Sequence, residues 1–160
     1  MAQIKLTNAD AVALVDDSDL EFLSTWKWRL SPVGAVYRAS NHAPRSLLMH
    51  RVLLGVVNAG RTVFVDHADG NRLNNQRSNL RICTNSLNQG NRRVIQGRCS
   101  QLKGVTWHRK CQKWQAQIKV HGRSRYLGLF NSEEDAARAY LTAARDCFGQ
   151  FAYSNIEGAA

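Results

Sequence analysis

Residues 65–91 read VDHADGNRLNNQRSNLRICTNSLNQGN, and this stretch limits the possible folds more than any other. It sets an Asp-His pair, a loop rich in Gly and Asn, a short apolar strand and an Asn-rich segment in close succession. Few packing arguments call for that combination. Residues 62–65 have strand character and lead into Asp66 and His67. Asp69-Gly70-Asn71 is a turn signal, because Gly and Asn tolerate positive φ. Residues 80–83 alternate and predict a second strand, after which Thr84 or Asn85 can cap a helix through Leu87, Asn88 and Asn91. The predicted order is strand, long loop, strand, helix.

The flanking sequence predicts an α+β chain. In residues 1–60, short strands are expected at 4–7, 11–15 and 35–40, with a helix capped near Asp17 and running through Leu23. Trp26, Trp28 and Leu30 alternate with Lys27 and Arg29, the pattern of a half-buried strand. Residues 46–57 read as strand then helix, with His50 inside as a satisfied core residue or a support to a site. Residues 93–102 have no clear period and form a basic linker. Residues 103–155 form a second unit. Strands begin at Val105, Trp114 and Arg125, His121-Gly122 turns between the last two, and Ser132 caps a helix that stops at Gly149. Ala136, Ala137, Tyr140, Leu141, Ala144 and Phe148 recur along it at helical spacing. The expected division is 1–60, 61–92, 93–102 and 103–155.

Charge is distributed unevenly. The net is +1 over residues 1–60, +12 over 61–130 and −3 over 131–160, within a total of +10. A basic middle of this kind is an electrostatic footprint for a polyanion, and nucleic acid is the expected partner. No apolar run approaches the ~20 residues of a membrane span, and no signal-peptide pattern opens the chain. An intracellular, cytoplasmic protein with no membrane partner is expected. Cys83, Cys99, Cys111 and Cys147 form no CxxC pair, so free thiols are expected and a structural zinc is not.

Cleaving a phosphodiester requires a nucleophilic water, in-line geometry and a stabilised leaving oxygen. An imidazole can take the proton from water, and a divalent cation can stabilise the leaving oxygen. Magnesium prefers oxygen ligands. Asp66, His67, Asn79 and Asn88 supply such parts. Adjacent residues on a regular strand point to opposite faces, so either the strand ends before Asp66-His67 or one of the two is structural.

The pieces VDH, DGNRLNN, SNLR and the Asn88 helix together resemble the HNH endonuclease motif in its H-N-N form, as in homing and phage-type enzymes. The resemblance implies a ββα-metal finger and divalent-metal-dependent cutting or nicking of DNA, with one Mg2+ or Mn2+ per site and no small-molecule cofactor. It implies that Asp66 is a metal ligand and His67 the general base. Asn79 would orient that histidine and its loop, and Asn88 would be the second metal ligand. Both later positions are Asn here, where the family name has Asn then His. Asn71, Asn74, Asn75, Asn85 and Asn91 are near-equivalent by sequence, and Asn85 and Asn91 compete with Asn88 for the metal. Arg72, Arg77 and Arg81 can hold phosphates or be solvated, and Arg92 and Arg93 can follow the DNA backbone.

KGVTWH, KWQAQIK, YLGLF and EEDAARAY, between residues 103 and 140, resemble the Apetala/ethylene-response-factor type of DNA-binding domain. The resemblance implies a three-stranded antiparallel sheet in the major groove of double-stranded DNA, with a helix packed behind. It places Lys103, Thr106, His108, Gln115, Gln117, Lys119, Ser124 and Tyr126 on the DNA face, and Arg109, Lys113, Arg123 and Arg125 near phosphates. Thr106 and His108 stand where the family usually has Arg, so base preference does not carry over. The combined expectation is a DNA endonuclease, monomeric or homodimeric, guided by its C-terminal sheet. The rival readings are a non-catalytic DNA-binding regulator and a structured-RNA binder.

Overall fold

The computed structural model describes residues 1–42, 45–60, 62–91 and 99–153. The fold is α+β, with short helices and small antiparallel sheets, and it divides into two compact units, Met1–Thr84 and Asn85–Ala160. The division falls inside the Asn-rich stretch, just before its helix.

In the first unit, β1 (Ala2–Lys5) and β2 (Val12–Val15) form a hairpin. Alternation buries Ala2, Ile4, Ala13 and Val15 on one face. α1 (Asp17–Ser24) follows with acids in its first turn, where the helix dipole favours them. Only Arg29–Leu30 of the expected tryptophan strand is strand (β3), and Trp28 is fully buried. A buried indole needs an acceptor. Trp28 Nε1 donates to Leu23 O at 2.8 Å, which packs the ring onto the end of α1. β3 pairs with β4 (Val36–Ala39), and β4 with β5 (Ser46–Leu48), which runs straight into α2 (Met49–Leu53). β6 (Phe64–His67) and β7 (Leu80–Cys83) make a separate two-stranded ladder, with a 3₁₀ turn (Arg77–Asn79) leading into β7. Leu6, Val15, Leu23, Trp28, Val36, Met49 and Leu80 belong to one core.

The second unit begins with α3 (Asn85–Asn91). β8 (Val105–His108), β9 (Lys113–Val120) and β10 (Arg123–Phe130) form an antiparallel sheet with β9 central. His121 and Gly122 both have positive φ, as a two-residue hairpin turn requires. α4 (Glu133–Phe148) packs on this sheet and buries the six residues whose spacing predicts burial: Ala136, Ala137, Tyr140, Leu141, Ala144 and Phe148. Ser132 caps α4 by accepting from Asp135 N at 3.1 Å. Gly104 (φ +75°) lies over Tyr140, where a Cβ would come within 2.0 Å of the ring. All four cysteines are free. Burial, and then the Asp66 charge, push the Cys83 thiol up to about 11. Among the described residues no helix is long and apolar enough to cross a membrane.

Candidate active site and nucleic-acid interface

The β6 strand does not end before the Asp-His pair. Its ladder with β7 continues through Asp66, opposite Arg81, and His67, opposite Leu80. The two side chains therefore leave on opposite faces. Asp66 Oδ2 accepts from Arg81 at 2.5 Å, and both groups are largely buried. On the other face, His67 Nε2 lies 3.5 Å from Asn75 Oδ1, and the rings of His67 and His50 meet edge-on at 5.2 Å between centroids.

The loop between the strands is held by amide side chains. Asn79 Oδ1 accepts from Asp69 N at 3.0 Å, while its Nδ2 donates to Asp69 Oδ1 at 3.0 Å and to Asn74 O at 2.8 Å. Asn74 Nδ2 donates to Asp69 Oδ2 at 2.8 Å, and Asn71 N to Asp69 Oδ1 at 2.7 Å. Burial raises the Asp69 pKa, but these hydrogen bonds outweigh it and hold the carboxyl below its ordinary value. The backbone of β2 grips the same loop, as Leu14 N donates to Leu73 O and Asn75 N to Leu14 O, each at 2.8 Å. Asn79 thus acts on the loop that follows His67, and Asn75 is the asparagine beside the imidazole.

Burial lowers the pKa of His67, against the opposing effects of Asn75, Asp69 and Asp66. Burial, His67, Arg51 and Arg72 together take His50 down to about 3. Both rings are therefore neutral at neutral pH, the state in which an imidazole can accept a proton.

Among the described residues no group of three or more His, Cys, Asp or Glu is placed to hold a metal ion. A carboxylate aided by amide oxygens, phosphate and water is a different kind of site. Such hard oxygen donors suit magnesium or manganese, and the Asp66 carboxylate is a donor of that kind. Asn88 lies on α3 in the second unit, half-buried.

Arginines expected on phosphate have other partners in this fold. Arg77 makes a two-pronged bond to Asp19 at 2.7 and 2.8 Å and donates to Leu53 O. Arg72 donates to Val33 O. Arg92 and Arg93, and most of the expected linker, lie outside the described residues.

In the second unit the ladder sorts the expected DNA-facing residues. Thr106 opposes Gln115, His108 opposes Lys113, Tyr126 opposes Gln117, and Ser124 opposes Lys119. Cross-strand partners share a face, so these eight side chains form one surface, away from the buried Ala116 and Ile118. Gln117, Lys119 and Tyr126 are exposed on it. Lys113, expected near phosphate, stands on this face. Arg123 and Arg125 oppose Val120 and Ile118, so they share the helix-side face at the sheet edge. Arg109 is exposed just after β8. Lys103 donates from Nζ to Gly90 O at 2.5 Å and Gln89 O at 3.1 Å, at the end of α3.

In the sequence Asn75 is one of several equivalent asparagines, and His50 is a core residue or a support to a site whose neighbour is not named. Nothing local marks Asn75 out from Asn74. His50 carried a signal, a histidine inside an apolar strand-to-helix segment, but not its partner.

A sequence model described as HNH endonuclease matches residues 60–89. Protein 3.8 of Escherichia phage T7 is 32% identical over 89 residues, covering 56% of this chain and 73% of its own. APETALA2-like protein 2 of Oryza sativa subsp. indica is 45% identical over 62 residues toward the C-terminus, 38% of this chain but only 14% of the plant protein. No solved structure matches. The uncharacterized HNH endonuclease L560 of Acanthamoeba polyphaga mimivirus is 32% identical over 138 residues, 83% of this chain and 68% of the viral protein. With that extent of likeness behind the family match, the chain belongs to the HNH endonuclease family.

Proposed function

We propose that the chain is a divalent-metal-dependent DNA endonuclease whose C-terminal sheet holds the double-stranded substrate. The observation that carries this reading is His67: a buried imidazole at the end of β6, its pKa lowered by that burial, followed by a loop that Asn79 ties together. His67 takes a proton from water as the water oxygen bonds to phosphorus and one P–O ester bond breaks. Asn79 keeps the loop after His67 in shape. By the family resemblance Asp66 and Asn88 would hold the metal; Asp66 leaves β6 on the face opposite His67 and is paired with Arg81, so that role requires its carboxylate to leave the pair and the end of the strand to open. When bound, the cation neutralises charge on the phosphate and the leaving oxygen. The surface of Thr106, His108, Lys113, Gln115, Gln117, Lys119, Ser124 and Tyr126 meets DNA, the glutamines reading base edges and the lysines pairing with phosphate.

One observation favours a second reading, a non-catalytic DNA-binding regulator: the Asp66 carboxylate is already engaged by Arg81. Supercoiled plasmid with Mg2+ or Mn2+, with and without EDTA, separates the two. The endonuclease nicks or linearises it only with metal, and His67→Ala loses about 100-fold or more in rate while still binding DNA. DNA binding without cleavage in either metal establishes the regulator.

A further inference from the structure

His50 is the second residue of α2, and the cleavage chemistry above makes no use of it. It is 9% exposed, and its ring stands at 87° to that of His67. Its Nδ1 is buried and has no hydrogen-bond partner among the described residues. The neighbouring Arg51 fastens the helix in place, donating to Val56 O at 2.6 Å and to Val63 O at 2.8 Å. Val63 is the residue just before β6, so α2 is anchored to the chain that carries His67.

A buried nitrogen with no partner costs desolvation energy that an apolar side chain of similar bulk would not. Packing alone therefore gives no reason for an imidazole here. The ring torsion of a histidine is broad, so neighbours must set the plane of His67. Asn75 meets one of its nitrogens and His50 meets its ring.

We propose that His50 is a positioning residue for His67: the edge-on contact between the two rings sets the plane of the imidazole that takes the proton from water. The inference rests on His67 being the general base. A displacement of about 1 Å at a reacting group costs on the order of 100-fold in rate, so a small loss of orientation is measurable.

The test is a double-mutant cycle on metal-dependent plasmid cleavage, using His50→Leu, His67→Ala and the pair. Leucine removes the ring and the unpartnered nitrogen but keeps apolar bulk, so the melting temperature stays level or rises. The expected loss in kcat is about 10- to 100-fold, with DNA affinity unchanged. In the His67→Ala background the same substitution has no further effect, because the two residues act as one. Wild-type kcat in His50→Leu overturns the proposal, and so does an equal loss in both backgrounds. If leucine unsettles α2, His50→Gln runs the same cycle with the same expectations. Wild-type cleavage by His67→Ala alone removes the base assignment and this inference with it. That outcome is distinct from a cycle in which only His50 is inert.

Discussion

The carboxylate of Asp66 and the guanidinium of Arg81 face each other across the β6–β7 ladder, 2.5 Å apart. The residue proposed to hold a cation is thus already bound to one. Arg81→Met takes away the counter-charge of a largely buried carboxylate, at a cost of about 3 kcal/mol. Mn2+ no longer competes with the guanidinium for Asp66. The variant therefore melts lower than wild type in EDTA, and Mn2+ raises its melting temperature by more than it raises the wild type's. Equal metal-induced shifts in the two proteins show that Asp66 is not a ligand.

Asn79→Ala breaks three hydrogen bonds to the loop at a nearly buried position. The loss is about 1–3 kcal/mol of stability, read by urea unfolding, and cleavage falls with it. Asn79→Asp does no better. It cannot donate to Asp69 Oδ1 and sets a second carboxylate beside the first.

Burial lowers the pKa values of both His50 and His67, His50 to about 3. Below the unfolded value of about 6.5, the unfolded chain binds protons that the folded chain does not. Stability is therefore full above that pH and declines as pH falls toward 3, by about 1.4 kcal/mol per pH unit for each histidine still neutral in the fold. Urea midpoints at pH 7.5 and pH 5.5 measure the slope, and His50→Leu flattens it. A midpoint that does not change between those pH values contradicts burial of neutral rings.

Gly104→Ala adds a Cβ 2.0 Å from the Tyr140 ring and 2.7 Å from Gln117 O, at a φ of +75°. Neither the backbone oxygen nor the buried ring has room to retreat. The expected cost is about 4 kcal/mol or more, visible as loss of the second unit's thermal transition and of DNA binding together.

Two lysines of the second unit behave differently. Lys119 is exposed on the open sheet face, so Lys119→Ala lowers the slope of log affinity against log salt by about 0.9 and leaves melting unchanged. Lys103 donates to carbonyls at the end of α3, so Lys103→Ala lowers the melting temperature and leaves the salt slope as it was. Salt titrations of DNA binding, with melting curves, distinguish the two roles.

Regular periods were legible in the sequence and long-range partners were not. α4 buries the six residues that its spacing marks, because a helix on a sheet has one apolar stripe to satisfy. The same logic, carried one step further, separates Arg123 and Arg125 from Ser124 and Tyr126. The signal was present in simple alternation. Trp28 escaped because its indole partner, Leu23 O, belongs to the preceding helix and draws the segment out of the ladder. Asn75 escaped because its place depends on the backbone of Leu14, a residue 61 positions earlier that no local pattern connects with it. Arg77 looked like a free cation until the fold brought Asp19 to it, from 58 residues away.

α3 is held inside the second unit by close contact. Gly90 lies so near Phe148 that a Cβ would come within 2.8 Å of the ring, and Gly90 O accepts from Tyr153 N at 3.1 Å. Ser86 Oγ accepts from His121 N at the sheet turn. The chain therefore cannot be dissected into a cutter and a reader by severing it after residue 91. A fragment ending there keeps the letters of the nuclease motif but strips its last helix of the aromatic and backbone partners that shape it. Anyone transplanting this nuclease onto a different DNA-binding module would have to carry Phe148, Phe151 and Tyr153 along, or supply substitutes for them.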